Sequence, residues 1–123
     1  MILIVEDDPQ VARLISLVLQ RNGYQGETVA DGRVALERVL ASAPELVIAD
    51  LTVKGIAGDA LCKTIKGEES TRRIPFIVLS GDRDLAEKAT GCGADAFLGK
   101  PFEFEDLIRL VKRYATTEKR PAS

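Results

Sequence analysis

The 123-residue sequence contains no histidine and no tryptophan, and it has only two cysteines. The lack of histidine excludes imidazole both as an acid–base catalyst and as a metal ligand. Cys62 and Cys92 do not have the spacing of a metal site or a disulfide framework. We expect them to be free thiols in a reducing cytoplasm. Any catalytic or cation-binding site in this chain must therefore work without imidazole groups.

The sequence also lacks a large net charge and long apolar runs. The formal net charge is only −2, so there is no basic field that would attract nucleic acid. No apolar run approaches the roughly 20 residues that span a bilayer, and the first strand-like run already begins at Ile2. We therefore expect no membrane segment, no signal peptide and no direct nucleic-acid binding. The length and the 46% hydrophobic content fit one globular domain with a sizeable core.

Short apolar runs alternate with segments of helical periodicity along the whole chain. The runs predict strands at 2–5, 46–49, 76–79 and 96–99, and a more polar strand at 25–29 is expected at a sheet edge. Helices are predicted from Pro9 to Asn22-Gly23, around 35–40, after Gly58, at roughly 83–91 and at roughly 103–115. Asp31-Gly32 is predicted to be a turn, and residues 116–123 a polar, flexible tail or linker stub.

Five strands that alternate with five helices predict a single doubly wound α/β domain. Right-handed crossovers between such strands give a parallel sheet that is covered by helices on both faces. The first, third, fourth and fifth runs are almost continuously apolar, which is typical of central parallel strands. In open sheets of this kind, ligands bind beyond the carboxyl ends of the strands.

Four of the predicted strands deliver polar groups at their carboxyl ends. The first strand leads into Glu6-Asp7-Asp8, and the third ends at Asp50. The fourth ends at Ser80, and the fifth at Lys100-Pro101. Because the carboxyl ends of parallel strands share one edge, we expect these groups to converge around Asp50.

The acidic groups among them favour a divalent cation. Each pair formed by Glu6, Asp7 and Asp50 at ~5 Å would repel by about 3 kcal/mol at an effective dielectric constant of 20. A hard ion that prefers oxygen ligands, Mg²⁺ or Mn²⁺, would remove that repulsion. Alternatively, the acidic triplet is only a helix-entry cluster that complements the helix dipole. This second interpretation suits Asp8, which precedes Pro9 and can cap the helix.

Each polar group also has an ordinary interpretation when it is taken alone. Asp50 could form an acyl phosphate as a nucleophile, but a single aspartate after a strand is more commonly a turn residue. Ser80 could bond a phosphoryl oxygen or be a turn hydroxyl. Lys100 could neutralise a phosphoryl group or be a solvated lysine. A cis Lys100–Pro101 bond would aim this lysine over the strand ends.

Taken in order, these segments resemble the receiver domain of two-component response regulators. The likeness covers about residues 2 to 115. The matching segments are 2–9, 30–32, 46–50, 78–81 and 93–102. The resemblance implies a flavodoxin-like (βα)5 fold with strand order 2-1-3-4-5, and a receiver domain at residues 1–115. It also implies a cytoplasmic signalling domain that is not an enzyme beyond its own phosphotransfer and autodephosphorylation.

By this resemblance, Asp50 is the phosphoacceptor, which takes a phosphoryl group from a histidine kinase or a histidine phosphotransfer protein. Glu6 and Asp7 match the acidic pair that holds Mg²⁺, with Asp7 as the more direct ligand and Glu6 acting through water. Asp50 itself and the backbone carbonyl of Thr52 complete the implied metal ligands. Asp8 follows the acidic pair and keeps its capping role.

The resemblance also implies a conformational switch. Ser80 matches the switch hydroxyl, Phe97 the switch aromatic, and Lys100 the lysine that contacts the phosphoryl group. Phosphorylation would draw Ser80 towards a phosphoryl oxygen and let Phe97 rotate inward. The responding surface would be the fourth helix, fifth strand and fifth helix, which would meet a downstream effector, a fused output domain or a second copy of the chain. Without the resemblance, simple core packing explains Phe97 equally well.

The sequence departs from the family pattern just after the acceptor. The family usually has Met-Pro at the third and fourth positions after the aspartate and glycine at the eighth, whereas this chain has Val53, Lys54 and Gly58. The replacement of Met-Pro would alter the geometry of this loop and the lifetime of the phosphorylated state. An alternative interpretation is a receiver that only binds partner proteins. A phosphohydrolase resembling the haloacid dehalogenase group is a further alternative, but it needs a second aspartate where Thr52 stands.

Overall fold

The computed structural model describes residues 1–81 and 85–115. The described elements alternate strictly along the chain. They are β1 (Ile2–Val5), α1 (Pro9–Arg21), β2 (Gly26–Val29), α2 (Gly32–Ser42), β3 (Leu46–Asp50), α3 (Gly58–Gly67), β4 (Phe76–Ser80), α4 (Leu85–Cys92), β5 (Ala96–Gly99) and α5 (Phe104–Tyr114). The predicted tail at 116–123 and the predicted start of the fourth helix at 83 lie outside the described residues. None of the helices in the described part of the chain has the length and apolar character needed to cross a membrane.

The five strands form one parallel sheet in the order β2-β1-β3-β4-β5. This confirms the predicted doubly wound α/β fold and its strand order. The register pairs Val5 with Ala49, Asp50 with Leu79, and Ser80 with Gly99. The carboxyl ends of β1, β3, β4 and β5 are therefore level with one another, which is the arrangement that the convergence of polar groups requires.

The sheet is covered by two apolar clusters, one on each face. Leu3, Val5, Val47 and Ala49 belong to the cluster that includes residues of α2, α3 and α4. Their neighbours along the same strands, such as Ile4 and Ile48, belong to the cluster under α1 and α5. Because successive strand residues point to opposite faces, an uninterrupted apolar run is what a strand needs when both faces are covered.

β5 differs from what its apolar run alone indicated, although it agrees with the strand order that the family resemblance implied. The run suggested a central strand, but among the described strands β5 lies at the edge of the sheet, pairs only with β4 and alternates between half-buried and exposed residues. Phe97, on its outer face, is 46% exposed. A run of four apolar residues does not distinguish an edge strand from a central strand, because the distinction depends on whether a neighbouring strand pairs with each side. β2 lies at the opposite edge, as predicted.

The helix ends confirm one predicted cap and correct one predicted turn. Asp8 caps α1, since its Oδ1 accepts hydrogen bonds from the amides of Gln10 at 3.0 Å and Val11 at 3.5 Å. Asp31 and Gly32 do not form a separate turn: Asp31 is the N-cap of α2, and Gly32 is its first residue. A cap and a turn use the same side-chain-to-amide hydrogen bond, so the sequence did not distinguish them.

Three of the large apolar residues in the described helices are exposed. Leu14 is 48%, Leu40 58% and Phe104 45% exposed. Each lies at the margin of an apolar stripe, where helical periodicity places a residue near the core without deciding which neighbour covers it.

Candidate functional site

Three of the predicted site residues meet at the carboxyl edge of the sheet. Lys100 Nζ lies 2.5 Å from Asp50 Oδ2 and 2.9 Å from Glu6 Oε1. Asp50 is the last residue of β3, Glu6 follows the neighbouring strand β1, and Lys100 follows β5. The side chains of Glu6 and Asp50 are 2% and 6% exposed, and that of Lys100 is 25% exposed. One partly exposed ammonium therefore bridges two buried carboxylates.

The second oxygen of each carboxylate is also held. Asp50 Oδ1 accepts hydrogen bonds from the Thr52 amide at 3.0 Å and the Thr52 hydroxyl at 3.1 Å. Glu6 Oε2 accepts the Asp8 amide at 3.1 Å. The hydroxyl of Thr52 is a site group that the sequence prediction missed, because only its carbonyl was considered. A threonine two residues after an aspartate is a signal for such a local contact.

The ionisation of the two carboxylates is shifted in opposite directions. Burial works to raise the pKa of Asp50, but hydrogen bonds from Lys100 and the Thr52 amide outweigh it and hold this pKa below its ordinary value. Burial raises the pKa of Glu6, and the negative charge of Asp50 adds to that effect. Burial also works to lower the pKa of Lys100, yet its contacts with Asp50 and Glu6 raise it. Asp50 is thus the better stabilised anion, and Lys100 stays charged.

A close backbone approach places the start of α3 against the end of β3. A Cβ at Gly58 would lie 2.3 Å from the carbonyl oxygen of Asp50, so only glycine fits there. The Gly58 amide also donates to the Leu51 carbonyl at 3.0 Å. This is the physical reason for a glycine at the eighth position after Asp50. In the loop between them, Val53 is buried in the core and Lys54 is exposed.

The remaining predicted residues lie on β4 and β5 or directly after β1. Ser80 is buried at the end of β4, and its carbonyl accepts the Lys100 amide at 2.8 Å. The Lys100–Pro101 bond is cis, as suggested from the sequence. Asp7 is exposed next to Glu6. Phe97, on the outer face of β5, stands opposite Val78 in the register with β4.

The donor chemistry of the site suits a hard divalent cation. Glu6, Asp7 and Asp50 provide carboxylate oxygens, and the chain has no histidine that would favour a softer metal. Within residues 1–81 and 85–115, no three acidic or cysteine side chains converge as a ready-made metal cluster. In the present arrangement the Lys100 ammonium supplies the positive charge between Glu6 and Asp50. The ligand set of Glu6, Asp7, Asp50 and the Thr52 carbonyl therefore fits a cation by donor type and remains a prediction.

Comparison with known proteins agrees with this geometry. The family model for the response regulator receiver domain matches residues 2–112. The response regulator ArlR of Staphylococcus haemolyticus is 34% identical over 113 residues, which cover 90% of this chain and 50% of that protein. The chain thus spans about half the length of the curated relatives it matches.

Two solved structures show the same fold. The signal receiver domain of a signal transduction histidine kinase from Syntrophus aciditrophicus is 38% identical, with a TM-score of 0.88 and coverage of 99% of this chain and 94% of that one. The receiver domain of the sensor histidine kinase PA1611 from Pseudomonas aeruginosa, which has a magnesium ion coordinated in its active-site cleft, is 29% identical. Its TM-score is 0.85, with coverage of 94% of this chain and 96% of that chain.

The fold and the strand-end site define a parallel α/β domain of the two-component signalling class. This chain belongs to the response regulator receiver domain family.

Proposed function

We propose that Asp50 accepts a phosphoryl group from a histidine kinase or a histidine phosphotransfer protein. The observation that carries this proposal is the pairing of a buried Asp50 carboxylate with the Lys100 ammonium, beside a second buried carboxylate at Glu6. A carboxylate oxygen of Asp50 forms the new P–O bond while the P–N bond to the donor imidazole breaks. The lowered pKa of Asp50 keeps it ionised and ready to attack near neutral pH.

The two carboxylate oxygens of Asp50 have different contacts and therefore different roles. Oδ1 is fixed by two hydrogen bonds from Thr52, which orients the carboxylate. Oδ2 faces the Lys100 ammonium. The transferred group adds a charge of about −1.5 to −2, and Lys100 is placed to neutralise part of it. Mg²⁺, held by Glu6, Asp7, Asp50 and the Thr52 carbonyl, would supply further charge neutralisation at the phosphoryl oxygens.

Support for Mg²⁺ comes from the magnesium-containing receiver domain of PA1611, which has the same fold. The oxygen donors of this site would also admit Mn²⁺, but these relatives give no support for it. The domain itself would extend over residues 1–115, with 116–123 as a tail or a linker to further sequence.

Phosphorylation would change the surface formed by α4, β5 and α5. Phe97 is 46% exposed in this structure, and we propose that it turns inward when Ser80 engages the phosphoryl group. The partner of that surface would be a downstream effector, a fused output domain or a second copy of the chain. The protein would act in the cytoplasm, where histidine kinases present their phosphorylated domains.

The test uses a small phosphodonor. The protein is incubated with acetyl phosphate and Mg²⁺, and the product is followed by intact mass. We expect one phosphoryl group per chain, in an adduct that is stable in acid and labile in base, as an acyl phosphate should be. Asp50→Asn removes the acceptor and should give no adduct. Asp106→Asn is the matched control, because Asp106 lies in α5 with its side chain 47% exposed, and it should leave adduct formation unchanged.

The other outcomes separate the alternatives. A folded wild-type protein that forms no adduct would mean that this receiver only binds partners. Continuous release of phosphate from unrelated phosphoesters would instead point to a phosphohydrolase. That second outcome is not expected, because Thr52 stands where such an enzyme needs an acid–base carboxylate.

A further inference from the structure

The loop that follows Asp50 is bound to the start of α2. We call residues 51–57 the acceptor loop. The Gly32 amide donates to the Lys54 carbonyl at 2.8 Å, and Asp31 and Lys54 form an isolated parallel bridge. This loop is also the part of the site that departs from the family pattern, since Lys54 stands where the family usually has proline. The chain therefore fixes the loop backbone by contact with another element.

Two glycines make this contact too close for a side chain. A Cβ at Gly32 would lie 1.9 Å from the Ile56 carbonyl oxygen and 2.8 Å from the Ile56 nitrogen. Gly55 has a φ of +87°, and a Cβ there would lie 2.2 Å from Asp31 Oδ1. Asp31 does not easily move away, because the same Oδ1 accepts the Arg33 amide at 2.7 Å and caps α2. The acceptor loop and the start of α2 therefore pack so closely that neither Gly32 nor Gly55 has room for a methyl group.

The same loop carries the groups that hold Asp50. Thr52 binds Asp50 Oδ1 through its amide and its hydroxyl. Val53 is 3% exposed and packs in the core cluster that also contains Ala35 of α2. At the far end of the loop, Gly58 lies against the backbone of Asp50. Because Lys54 is only two residues from Thr52, a displacement of the backbone at Lys54 would also move the Thr52 amide and carbonyl.

We propose that Asp31 and Gly32 are positioning residues for the phosphoryl-transfer site, although neither touches the reacting atoms. Their contact with the acceptor loop fixes Thr52 against Asp50, and it takes over the stiffness that a proline at position 54 would give. This inference rests on the proposed function, because it gives Asp31 and Gly32 a role in cation binding and phosphoryl transfer. The positioning role thus belongs to the start of α2, which follows β2 and is distant in sequence from Asp50.

The sharpest test compares two glycines in helices. Gly32→Ala introduces the clash with Ile56, whereas Gly67→Ala at the end of α3 meets nothing within 4 Å. Neither glycine has a positive φ, and alanine is the better helix former at both, so a loss in Gly32→Ala reports the displaced loop. Mg²⁺ binding is measured without phosphodonor from amide chemical shifts. We expect the half-saturating Mg²⁺ concentration to rise roughly tenfold in Gly32→Ala, as for other groups that orient ligands, and to stay unchanged in Gly67→Ala.

A second pair covers the case in which Gly32→Ala does not fold. Gly55 and Gly23 have φ values of +87° and +86°, so alanine brings the same backbone strain at both. A Cβ at Gly23 meets nothing within 4 Å, whereas at Gly55 it meets Asp31. Mg²⁺ binding should weaken roughly tenfold in Gly55→Ala and not in Gly23→Ala. Asp31→Asn keeps the cap and should behave as wild type, while Asp31→Ala should weaken binding.

Adduct formation with acetyl phosphate is measured on the same variants. If wild-type protein neither binds Mg²⁺ nor forms the adduct, the proposed function fails, and this inference fails with it. If the wild type does both, but Gly32→Ala matches Gly67→Ala and Gly55→Ala matches Gly23→Ala, only the positioning role is overturned. A spectrum with dispersed amide signals, recorded first for each variant, shows that a folded protein is being compared.

Discussion

Two lysines contact aspartates at opposite ends of the same sheet. At the amino ends of β4 and β5, Lys66 Nζ lies 2.7 Å from Asp95 Oδ2. At the carboxyl ends, Lys100 Nζ lies 2.5 Å from Asp50 Oδ2. The two pairs have similar geometry, and they differ in what else each group contacts.

The Lys66 cluster is balanced in charge and in hydrogen bonds. Its ammonium also donates to the carbonyls of Ile74 at 2.9 Å and Arg72 at 3.3 Å. Asp95 Oδ2 accepts the Phe76 amide at 2.8 Å as well. One positive charge meets one negative charge, and the three donors of the ammonium are all used. Lys66 therefore joins the end of α3 to the strands and leaves no charge for a ligand.

The Lys100 cluster has an excess of negative charge. Its single ammonium contacts two carboxylates, Asp50 and Glu6, which are both buried. Asp7 adds a further negative charge at the exposed rim. A lysine–aspartate pair is therefore structural where its charges cancel, and suited to chemistry where buried negative charge remains for a cation or an incoming group.

The largest expected difference concerns phosphoryl transfer. Lys100→Met removes the cation that meets the growing charge on the phosphoryl group, and we expect adduct formation to slow by roughly 10²-fold. Lys66→Met, at the other end of the sheet, should leave the rate unchanged. Initial rates with acetyl phosphate at saturating Mg²⁺ measure both. Equal rates in the two variants would remove the functional distinction between the clusters.

Stability should respond mainly at the amino end of the sheet. Lys66→Met removes the ammonium from two backbone carbonyls and from the Asp95 carboxylate, which keeps the Phe76 amide, so we expect a loss of about 2 kcal/mol in the free energy of unfolding. Lys63→Met, on an exposed position of the same helix α3, is the control and should change stability by less than about 0.5 kcal/mol. Urea denaturation gives both values. A loss in Lys66→Met no larger than that in Lys63→Met would show that the cluster is not structural.

A smaller effect is expected at the outer side of the amino-end cluster. The Tyr114 hydroxyl of α5 donates to the Asp95 carbonyl at 3.1 Å. Tyr114→Phe removes this hydrogen bond and keeps the ring, so the free energy of unfolding should fall by about 0.5–1 kcal/mol, with no change in adduct formation. Denaturation and phosphorylation of the same sample test both parts. A slower phosphorylation would mean that the amino end is coupled to the site.

The smallest effect is expected in the pH dependence of the metal-free protein. The pKa of Asp50 lies below its ordinary value of 3.8, so Asp50 contributes stability that is present above that value and is lost as the pH falls through its folded pKa. The pKa of Glu6 lies above its ordinary value of 4.5, so ionised Glu6 costs stability, and this cost disappears as the pH falls through its raised pKa. The two contributions oppose each other and change in different ranges of pH.

The difference in unfolding free energy between wild type and each of two variants isolates these contributions. The advantage of wild type over Asp50→Asn should shrink below about pH 3.8, whereas any disadvantage relative to Glu6→Gln should shrink as the pH falls towards 4.5. Urea titrations across this range provide the measurement. Parallel curves for wild type and Asp50→Asn at low pH would contradict the lowered pKa.

Much of the fold followed from local patterns. Apolar runs placed the strands, helical periodicity placed the helices, and Asp8 before Pro9 marked the start of α1. The edge position of β5 did not follow from its apolar run and came only with the strand order that the family resemblance implied, because an edge is defined by which strands are neighbours. The contact of Asp31 with the acceptor loop, at Lys54, did not follow either, because it joins segments far apart in sequence.

The candidate site divides in the same way. Strand ends predicted that Glu6, Asp50 and Lys100 would lie near one another, because parallel strands present their carboxyl ends at one edge. The sequence could not predict that one ammonium would bridge both carboxylates, since that depends on distances between three strands. It left open whether Phe97 packs in the core or stands outward as a switch residue, and Phe97 is exposed in this structure.

The order of the elements, the doubly wound class and the kinds of polar group at each strand end follow from residue periodicity and short-range signals in the sequence. The charge balance of each cluster depends on the tertiary structure. The same pair of residue types gives a neutral cluster at Lys66, where backbone carbonyls complete the contacts. It gives a negatively charged cluster at Lys100, where a second buried carboxylate comes from another strand. Net charge in a buried site is a sum over elements that only folding brings together.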